Sequence, residues 1–193
     1  MSDLSAARRL LESWTPPTPE QGRTRDRILA FIAEHPTDAH QRSCVEGHLT
    51  ASALVVDARG ERALLTHHKK LGRWLQLGGH CDGDADLAAV ALREATEESG
   101  IAGLAIEPAP IDVDIHTIPA RRGEPEHLHL DTRFVVRAPP GATERISDES
   151  LALRWFAPDE LATIATDDSV RRLFSLPLFA KPRGQRASST RKA

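Results

Sequence analysis

Near its start the chain repeats apolar residues at the spacing of two helices. The first predicted helix carries five of them: Leu4, Ala7, Leu10, Leu11 and Trp14. Pro16-Pro17 ends that pattern, because proline cannot continue a helix. A second helix is then predicted to begin with Thr18 as N-cap, Pro19 at the first position and Gln21 completing a capping box. It closes before Pro36.

From Leu49 onward the apolar residues occur in short runs typical of β-strands. Runs at 51–56 and 63–66 flank Asp57-Ala58-Arg59-Gly60, a predicted hairpin turn. A helix is predicted from about Asp86 to Ser99, ending at Gly100. Further strands are predicted at 74–77, 111–116, 127–136 and 151–156, and helical turns at 158–164 and 169–176. Strands mixed with few helices favour an α/β fold with a mixed sheet and helices packed on it.

Length and charge divide the chain further. We predict an N-terminal helical extension over 1–45, one main domain over 46–180 and a basic, disordered tail over 181–193. The net charge is −3, but the tail holds five basic residues and no acids, which leaves 20 basic against 28 acidic residues elsewhere. This acidic body argues against nucleic-acid binding and agrees with a site that collects divalent cations.

The composition also limits where the protein works. No apolar stretch approaches the ~20 residues of a membrane span, so no membrane partner is expected. Met1–Leu10 has no apolar core typical of a signal peptide. Two cysteines, Cys44 and Cys81, are too few for a disulfide framework. We therefore predict a cytoplasmic protein.

The helix at 86–99 carries an unusual stripe. Six of its residues fall on one side: Leu87, Val90, Ala91, Glu94, Glu97 and Glu98. The apolar half faces the protein, and three carboxylates continue the same stripe, where they would repel unless a cation lies among them. Mg²⁺ or Mn²⁺, which prefer oxygen ligands, meets that need, and Arg93 can orient Glu97 at i+4. The alternative is an exposed acidic helix end paired with Arg93.

Residues 79–101 resemble the signature of the Nudix hydrolase family, Gly-x5-Glu-x7-Arg-Glu-U-x-Glu-Glu-x-Gly-U, in which U is aliphatic. Gly79 begins the pattern, and it ends with Arg93-Glu94-Ala95-Thr96-Glu97-Glu98-Ser99-Gly100-Ile101. Two positions depart from it. Ala85 replaces the first glutamate, and Asp86 beside it either compensates or caps the helix. Leu77 stands where proline is common before the two glycines.

The resemblance implies an α/β/α sandwich that cleaves a pyrophosphate bond with water, using Mg²⁺ or Mn²⁺. The implied metal-binding residues are Gly79, Glu94, Glu97, Glu98 and, as a distant acid, Glu149. The implied catalytic residues are Arg93, Glu94, Glu97 and Glu98. The general base is left open between Glu94, Glu98 and an acid from a distant loop.

Substrate contacts are predicted outside the signature. In the strand near 127–134 one face carries His127, His129, Asp131 and Arg133. These side chains either line the cleft or face solvent. The residues assigned to substrate are Trp74, Lys70, Arg133 and His129, although Trp74 also suits the core and Lys70 a solvated turn.

The expected substrate is a small nucleoside diphosphate linked to another moiety: a nucleotide sugar, a dinucleotide or a nucleoside triphosphate. A nucleotide sensor without turnover is the first alternative, suggested by Ala85 and the N-terminal helices. An isoprenoid-diphosphate isomerase is the second, and it would require Cys81 as acid or base. The helices at 4–35 also offer a surface for a second subunit, which predicts a homodimer.

Overall fold

The computed structural model describes residues 3–121, 123–147 and 150–179. The predicted disordered tail, 181–193, lies outside the described residues. The helices are α1 (Ser5–Ser13), α2 (Pro19–Glu34), α3 (Leu87–Ser99), a 3-10 helix (Pro158–Thr163) and α4 (Asp168–Ser175). The strands are β1 (Gly47–Val56), β2 (Ala63–His68), β3 (Arg73–Leu75), β4 (Leu77–His80), β5 (Ala105–Ile106), β6 (Asp112–Ile118), β7 (His127–Arg137) and β8 (Ser150–Phe156).

One mixed sheet is built around the parallel pair β1 and β7. The pair is in register from Gly47↔Leu128 to Val56↔Arg137. The other edge of β1 carries β4 and then β2, whereas the other edge of β7 carries β6 and β5. Strands β3 and β8 extend the sheet from β2, and every pairing except β1–β7 is antiparallel. The predicted α/β/α fold with a mixed sheet is confirmed.

The two faces of this sheet differ in chemistry. Leu49 and Ala51 of β1 pack with Leu130 and Phe134 of β7 against the helices α1, α2 and α3. On the opposite face, Leu54 and Val56 of β1 pack with α4 and the 3-10 helix. The first half of β1 is polar on this second face, where it carries the alternate residues His48, Thr50 and Ser52.

The N-terminal helices share a hydrophobic core with the sheet. Leu11 and Ile28 are fully buried in the cluster that also holds Val90 of α3. Thr18 caps α2 as predicted, accepting a hydrogen bond from the Gln21 backbone. The Gln21 side chain does not close a capping box, however, because its Oε1 accepts from the Val113 backbone N–H at 2.9 Å. This bond joins α2 to β6, and the boundary at residue 45 stays a prediction.

The apolar residues of α1 and α2, which were predicted to contact a second subunit, pack largely against the rest of this chain. The exposed large apolar residues of the described segments are Val45, Leu71, Ile146 and Leu151, and none of them lies on α1 or α2. The homodimer stays a prediction. None of the helices in these segments combines the length and the apolar composition that a membrane span needs.

The structure divides one predicted strand and adds another. The strand predicted at 74–77 is two strands, because Leu75 pairs with Thr66 of β2 whereas Leu77 pairs with Ala53 of β1. The change of partner falls at Gln76. Strand β5 was not predicted, since two residues are too few to show an alternating pattern.

A buried ion network joins β6, β7 and α4. Arg133 is 1% exposed, and its guanidinium donates to Asp131 at 2.8 Å and to Asp112 at 3.1 Å. Arg172 of α4 donates to the same Asp112 at 2.9 Å and to Asp114 at 2.9 Å. Burial raises the pKa of Asp112, although Arg172 and Arg133 oppose that rise. Both arginines therefore favour the ionised form of the Asp112 carboxylate.

Replacing Arg133 with methionine should destabilise the protein strongly. The change leaves buried carboxylates at Asp131 and Asp112 without their shared partner, which costs about 3–5 kcal/mol. Urea unfolding measures the loss. The matched control is Arg137→Met, whose half-exposed pair with Glu107 should be worth less than about 1 kcal/mol. Equal losses in the two variants would contradict this account.

Candidate active site

Helix α3 is fixed at both ends by its own sequence. Asp86 caps the N-terminus, its Oδ1 accepting from the Ala89 backbone N–H at 3.1 Å. Gly100 ends the helix in the left-handed region, with φ 64°. Leu87 and Val90 are buried between these ends. Helix α3 thus presents its glutamates from a rigid element, and Asp86 acts as a cap.

Two of the three glutamates reach the glycine pair of β4. The Gly78 backbone N–H donates to Glu98 Oε2 at 3.2 Å. A Cβ at Gly79 would overlap the Glu94 carboxylate, so only glycine allows Glu94 this position. Glu97 lies exposed on the next part of the stripe. The acidic end of the predicted stripe therefore opens beside the Gly78-Gly79 backbone.

Arg93 holds this arrangement together. Its Nη2 donates to Glu94 Oε1 at 2.8 Å and to the His80 carbonyl at 3.0 Å. The hydrogen bond to Glu94 raises the pKa of Arg93 above its ordinary value. The predicted i+4 pair with Glu97 is thus replaced by a pair with the adjacent Glu94. One guanidinium orients a carboxylate and ties α3 to the end of β4.

The segment before β1 braces the loop that follows β4. Arg42 forms a two-bond pair with Asp82, at 2.7 Å and 3.0 Å. The Gly83 backbone N–H donates to the His40 carbonyl at 2.9 Å. These contacts link the N-terminal extension to the first half of the signature, so the extension supports the site as well as the core.

Two residues of that loop have apolar surroundings. Ala85 is 1% exposed and packs in the core with the N-terminal helices, where a glutamate would be costly to bury. Cys81 is also 1% exposed, and burial raises the pKa of its thiol well above the ordinary value. Ala85 thus has a packing role, and Cys81 is a poor acid or base near neutral pH.

The residues predicted to contact substrate lie in different surroundings. Lys70 is exposed in the turn between β2 and β3. Trp74 is half-buried, with its ring 4.9 Å from that of Phe156, which favours its core role. Arg133 is buried with its donors engaged, which disfavours the predicted contact with phosphate. His129 lies half-buried on the polar face of the sheet, and Glu149 is outside the described residues.

Sequence reasoning missed part of that polar face. His48 of β1 is 3% exposed and lies beside His129 of β7, with His80 of β4 close to both. Burial is the largest cause that lowers the pKa of His80 to about 4, with Arg42 acting in the same direction, and burial among the other histidines lowers the pKa of His129 to about 2. These imidazoles are therefore neutral near pH 7. The alternation in the strand at 127–134 indicated a polar face that includes His129, but it did not show which side chains of other strands lie beside His129.

The glutamates suit a hard divalent cation. Glu94 and Glu98 bring carboxylate oxygens to the Gly78-Gly79 backbone, and Mg²⁺ and Mn²⁺ prefer such ligands. The side-chain space at Gly79 is filled by the Glu94 carboxylate itself. The donor set thus fits the metal that the sequence predicts.

This fold and carboxylate site define a hydrolase of phosphate anhydrides. Residues 47–175 match the NUDIX domain, and the chain belongs to that family. It is a pyrophosphohydrolase, as predicted, in a family that generally uses divalent metal ions and acts on small nucleotide-type substrates. No match was found among curated proteins.

Solved structures show the same fold. A Caenorhabditis elegans Ap4A hydrolase in a binary complex is 18% identical, with a TM-score of 0.53 over 65% of this chain and 91% of that one. A MutT NUDIX hydrolase from Burkholderia pseudomallei is 27% identical, with a TM-score of 0.50 over 66% and 95%. A Listeria monocytogenes NUDIX hydrolase is 16% identical, with a TM-score of 0.51 over 65% and 88%.

Replacing Gly79 with alanine should impair hydrolysis. The added methyl group displaces the Glu94 carboxylate, and a shift of about 1 Å in a catalytic group costs on the order of 100-fold in rate. Steady-state kinetics on a pyrophosphate substrate measures this loss. The control is Gly22→Ala on α2, where an added Cβ meets no atom within 4 Å. This substitution should increase the free energy of unfolding by at most about 1 kcal/mol. An unchanged rate in Gly79→Ala would show that Glu94 needs no such close approach.

Proposed function

We propose that this protein is a metal-dependent hydrolase that cleaves the pyrophosphate bond of a nucleoside diphosphate linked to another moiety. The observation that carries the proposal is the meeting of Glu94 and Glu98 at the Gly78-Gly79 backbone. Nucleotide sugars, dinucleotides and nucleoside triphosphates are the candidate substrates. The proposed compartment is the cytoplasm, in which the two unpaired cysteines would stay reduced.

The proposed metal is Mg²⁺ or Mn²⁺. Its ligands would be Glu94, Glu97 and Glu98, with Gly79 through its backbone and Glu149 as a distant acid. A bound ion of this kind neutralises charge on the phosphate oxygens and lowers the pKa of a bound water. Because the carboxylates lie together on one helix, they provide a negative site for the cation before the anionic substrate arrives.

The chain's own residues have separate tasks in this proposal. Arg93 fixes Glu94 and ties it to the end of β4 through the His80 carbonyl. Gly79 allows the close approach of carboxylate to strand. Glu94, Glu98 and a distant acid remain the candidates for the base that takes a proton from the attacking water.

A nucleotide sensor without turnover is the second candidate. The buried Ala85 favours it, because the first glutamate of the signature is replaced by a core residue. The metal-binding end of α3 keeps its three glutamates, and that favours turnover. The isomerase alternative lacks support, since burial raises the pKa of the Cys81 thiol.

A substrate screen with product identification separates these functions. Purified protein is incubated with Mg²⁺ or Mn²⁺ and each class of nucleotide substrate, and the products are resolved by chromatography. Metal-dependent release of a mononucleotide, phosphate or pyrophosphate is the expected result. Tight nucleotide binding without products would support the sensor and contradict the hydrolase.

Replacing Glu97 with glutamine should nearly abolish hydrolysis while leaving the fold intact. The side chain is exposed, so the free energy of unfolding should change by no more than about 0.5 kcal/mol. Loss of a proposed metal ligand should reduce kcat at least about 100-fold, because replacing a residue that only hydrogen-bonds to a metal ligand can already reduce activity by that factor. Kinetics at saturating Mn²⁺ and thermal unfolding check the two expectations.

The matched control is Glu107→Gln. Glu107 is a half-exposed glutamate that pairs with Arg137 on the far edge of the sheet, so its loss should leave kcat unchanged. A Glu97→Gln enzyme with full activity would remove Glu97 from the metal site.

A further inference from the structure

Three histidines from three different strands meet on the polar face of the sheet. His48 of β1 lies directly beside His129 in the parallel pairing with β7. His80 of β4 pairs with Thr50, which lies two residues along β1 from His48 and on the same face. Strand register therefore fixes the backbone positions of all three rings.

The three rings form a nearly equilateral triangle. The ring centres of His48 and His80 are 5.0 Å apart, those of His48 and His129 are 5.0 Å apart, and those of His80 and His129 are 4.9 Å apart. One nitrogen from each ring lies within 4.8 Å of the others. In a tetrahedral zinc site such nitrogens are about 3.4 Å apart, so small side-chain rotations would complete the geometry.

Several ring nitrogens of these histidines are buried but lack hydrogen-bond partners. In the described part of the chain, Nε2 of His129 is buried without a hydrogen-bond partner, and the buried ring nitrogens of His48 form no hydrogen bond of good geometry, even with the nearby Cys44 backbone. Leaving such groups unpaired is unfavourable, because a buried polar atom has lost its hydrogen bonds to water. His80 and His129 are half-buried, which leaves an ion a route from solvent.

We propose that His48, His80 and His129 form a binding site for a transition metal of the Zn²⁺ type. Imidazole nitrogens select Zn²⁺, Co²⁺ or Ni²⁺ over Mg²⁺ and Mn²⁺, which prefer oxygen. Three protein ligands leave a fourth position for water or an anion. The bound ion would satisfy the buried nitrogens and clamp β1, β4 and β7 together at the end of the sheet that carries the signature loop.

This site is distinct from the carboxylate site. Successive residues of a strand point to opposite faces, so His80 projects away from the face on which Gly79 meets Glu94. The two sites also differ in donor chemistry, nitrogen in one and oxygen in the other. The proposal therefore stands independently of the proposed hydrolysis.

Zinc titration of the full-length protein tests the proposal. Metal is first removed with a chelator, and Zn²⁺ is then added in the presence of excess Mg²⁺ to occupy the carboxylates. Calorimetry should show one equivalent bound, and the Tm should rise by about 5 °C or more when Zn²⁺ exceeds its Kd about 100-fold. Co²⁺ in place of Zn²⁺ should give the visible absorption of a tetrahedral nitrogen site.

Single variants locate the ligands. His129→Gln and His80→Gln should each weaken Zn²⁺ binding at least about 100-fold and remove the Tm rise. The control is His67→Gln on β2, where the His67 ring lies 5.0 Å from that of Trp74, and this variant should bind Zn²⁺ as the parent does. Circular dichroism of each metal-free variant checks that it folds. If one of His129→Gln and His80→Gln does not fold, the other is sufficient for the test.

Two outcomes would overturn the proposal. The first is absence of Zn²⁺ binding by the folded parent protein. The second is binding that survives His129→Gln and His80→Gln but is lost in Cys44→Ser, because His35, Asp38 and Cys44 form another set with donor atoms within 4.8 Å. That result would place the ion at the N-terminal segment. Glu97→Gln should not affect Zn²⁺ binding.

Discussion

The parallel pairing of β1 with β7 is the constraint on which the rest of the structure depends. It runs over the whole of β1, and its register decides which residues of both strands face the helices and which form the polar face. A shift of β1 by one residue against β7 would place Leu49 beside the histidines and move His48 into the core. Helix α3 packs on the apolar side of this pair, so the position of Glu94, Glu97 and Glu98 depends on the same register.

The active site concentrates negative charge where packing alone would favour apolar residues. Glu94 and Glu98 approach the backbone of β4, and Arg93 compensates part of their charge while fixing Glu94. Placing these carboxylates near one another has a cost in charge repulsion, which a divalent cation of the proposed kind would relieve. The apolar half of α3, its Asp86 cap and the N-terminal segment around Arg42 offset that cost.

The polar face of the sheet is divided between two kinds of buried polar groups. At one end Arg133 and Arg172 satisfy three aspartates, and Ser52 and Thr50 complete the bonds to Asp131. At the other end, the histidines have ring nitrogens that find no hydrogen-bond partner among the described residues. The first set is internally neutralised and ties β6, β7 and α4 together, whereas the second still has capacity for a ligand. Burial of polar groups thus serves structure at one end and binding at the other.

The sequence by itself determined the elements whose causes are local. The caps of α3, the hairpin turn at 57–60, the alternation in β7 and the stripe of glutamates depend on residues a few positions apart, and spacing alone revealed them. Only the tertiary structure decided what these residues meet. Gln21 accepts a hydrogen bond from Val113, Arg133 forms ion pairs with aspartates, and His48 lies beside His80 and His129. The sequence did not reveal these contacts, because each depends on packing between segments distant along the chain. Local pattern specifies which face a side chain takes, but packing and register select its partner.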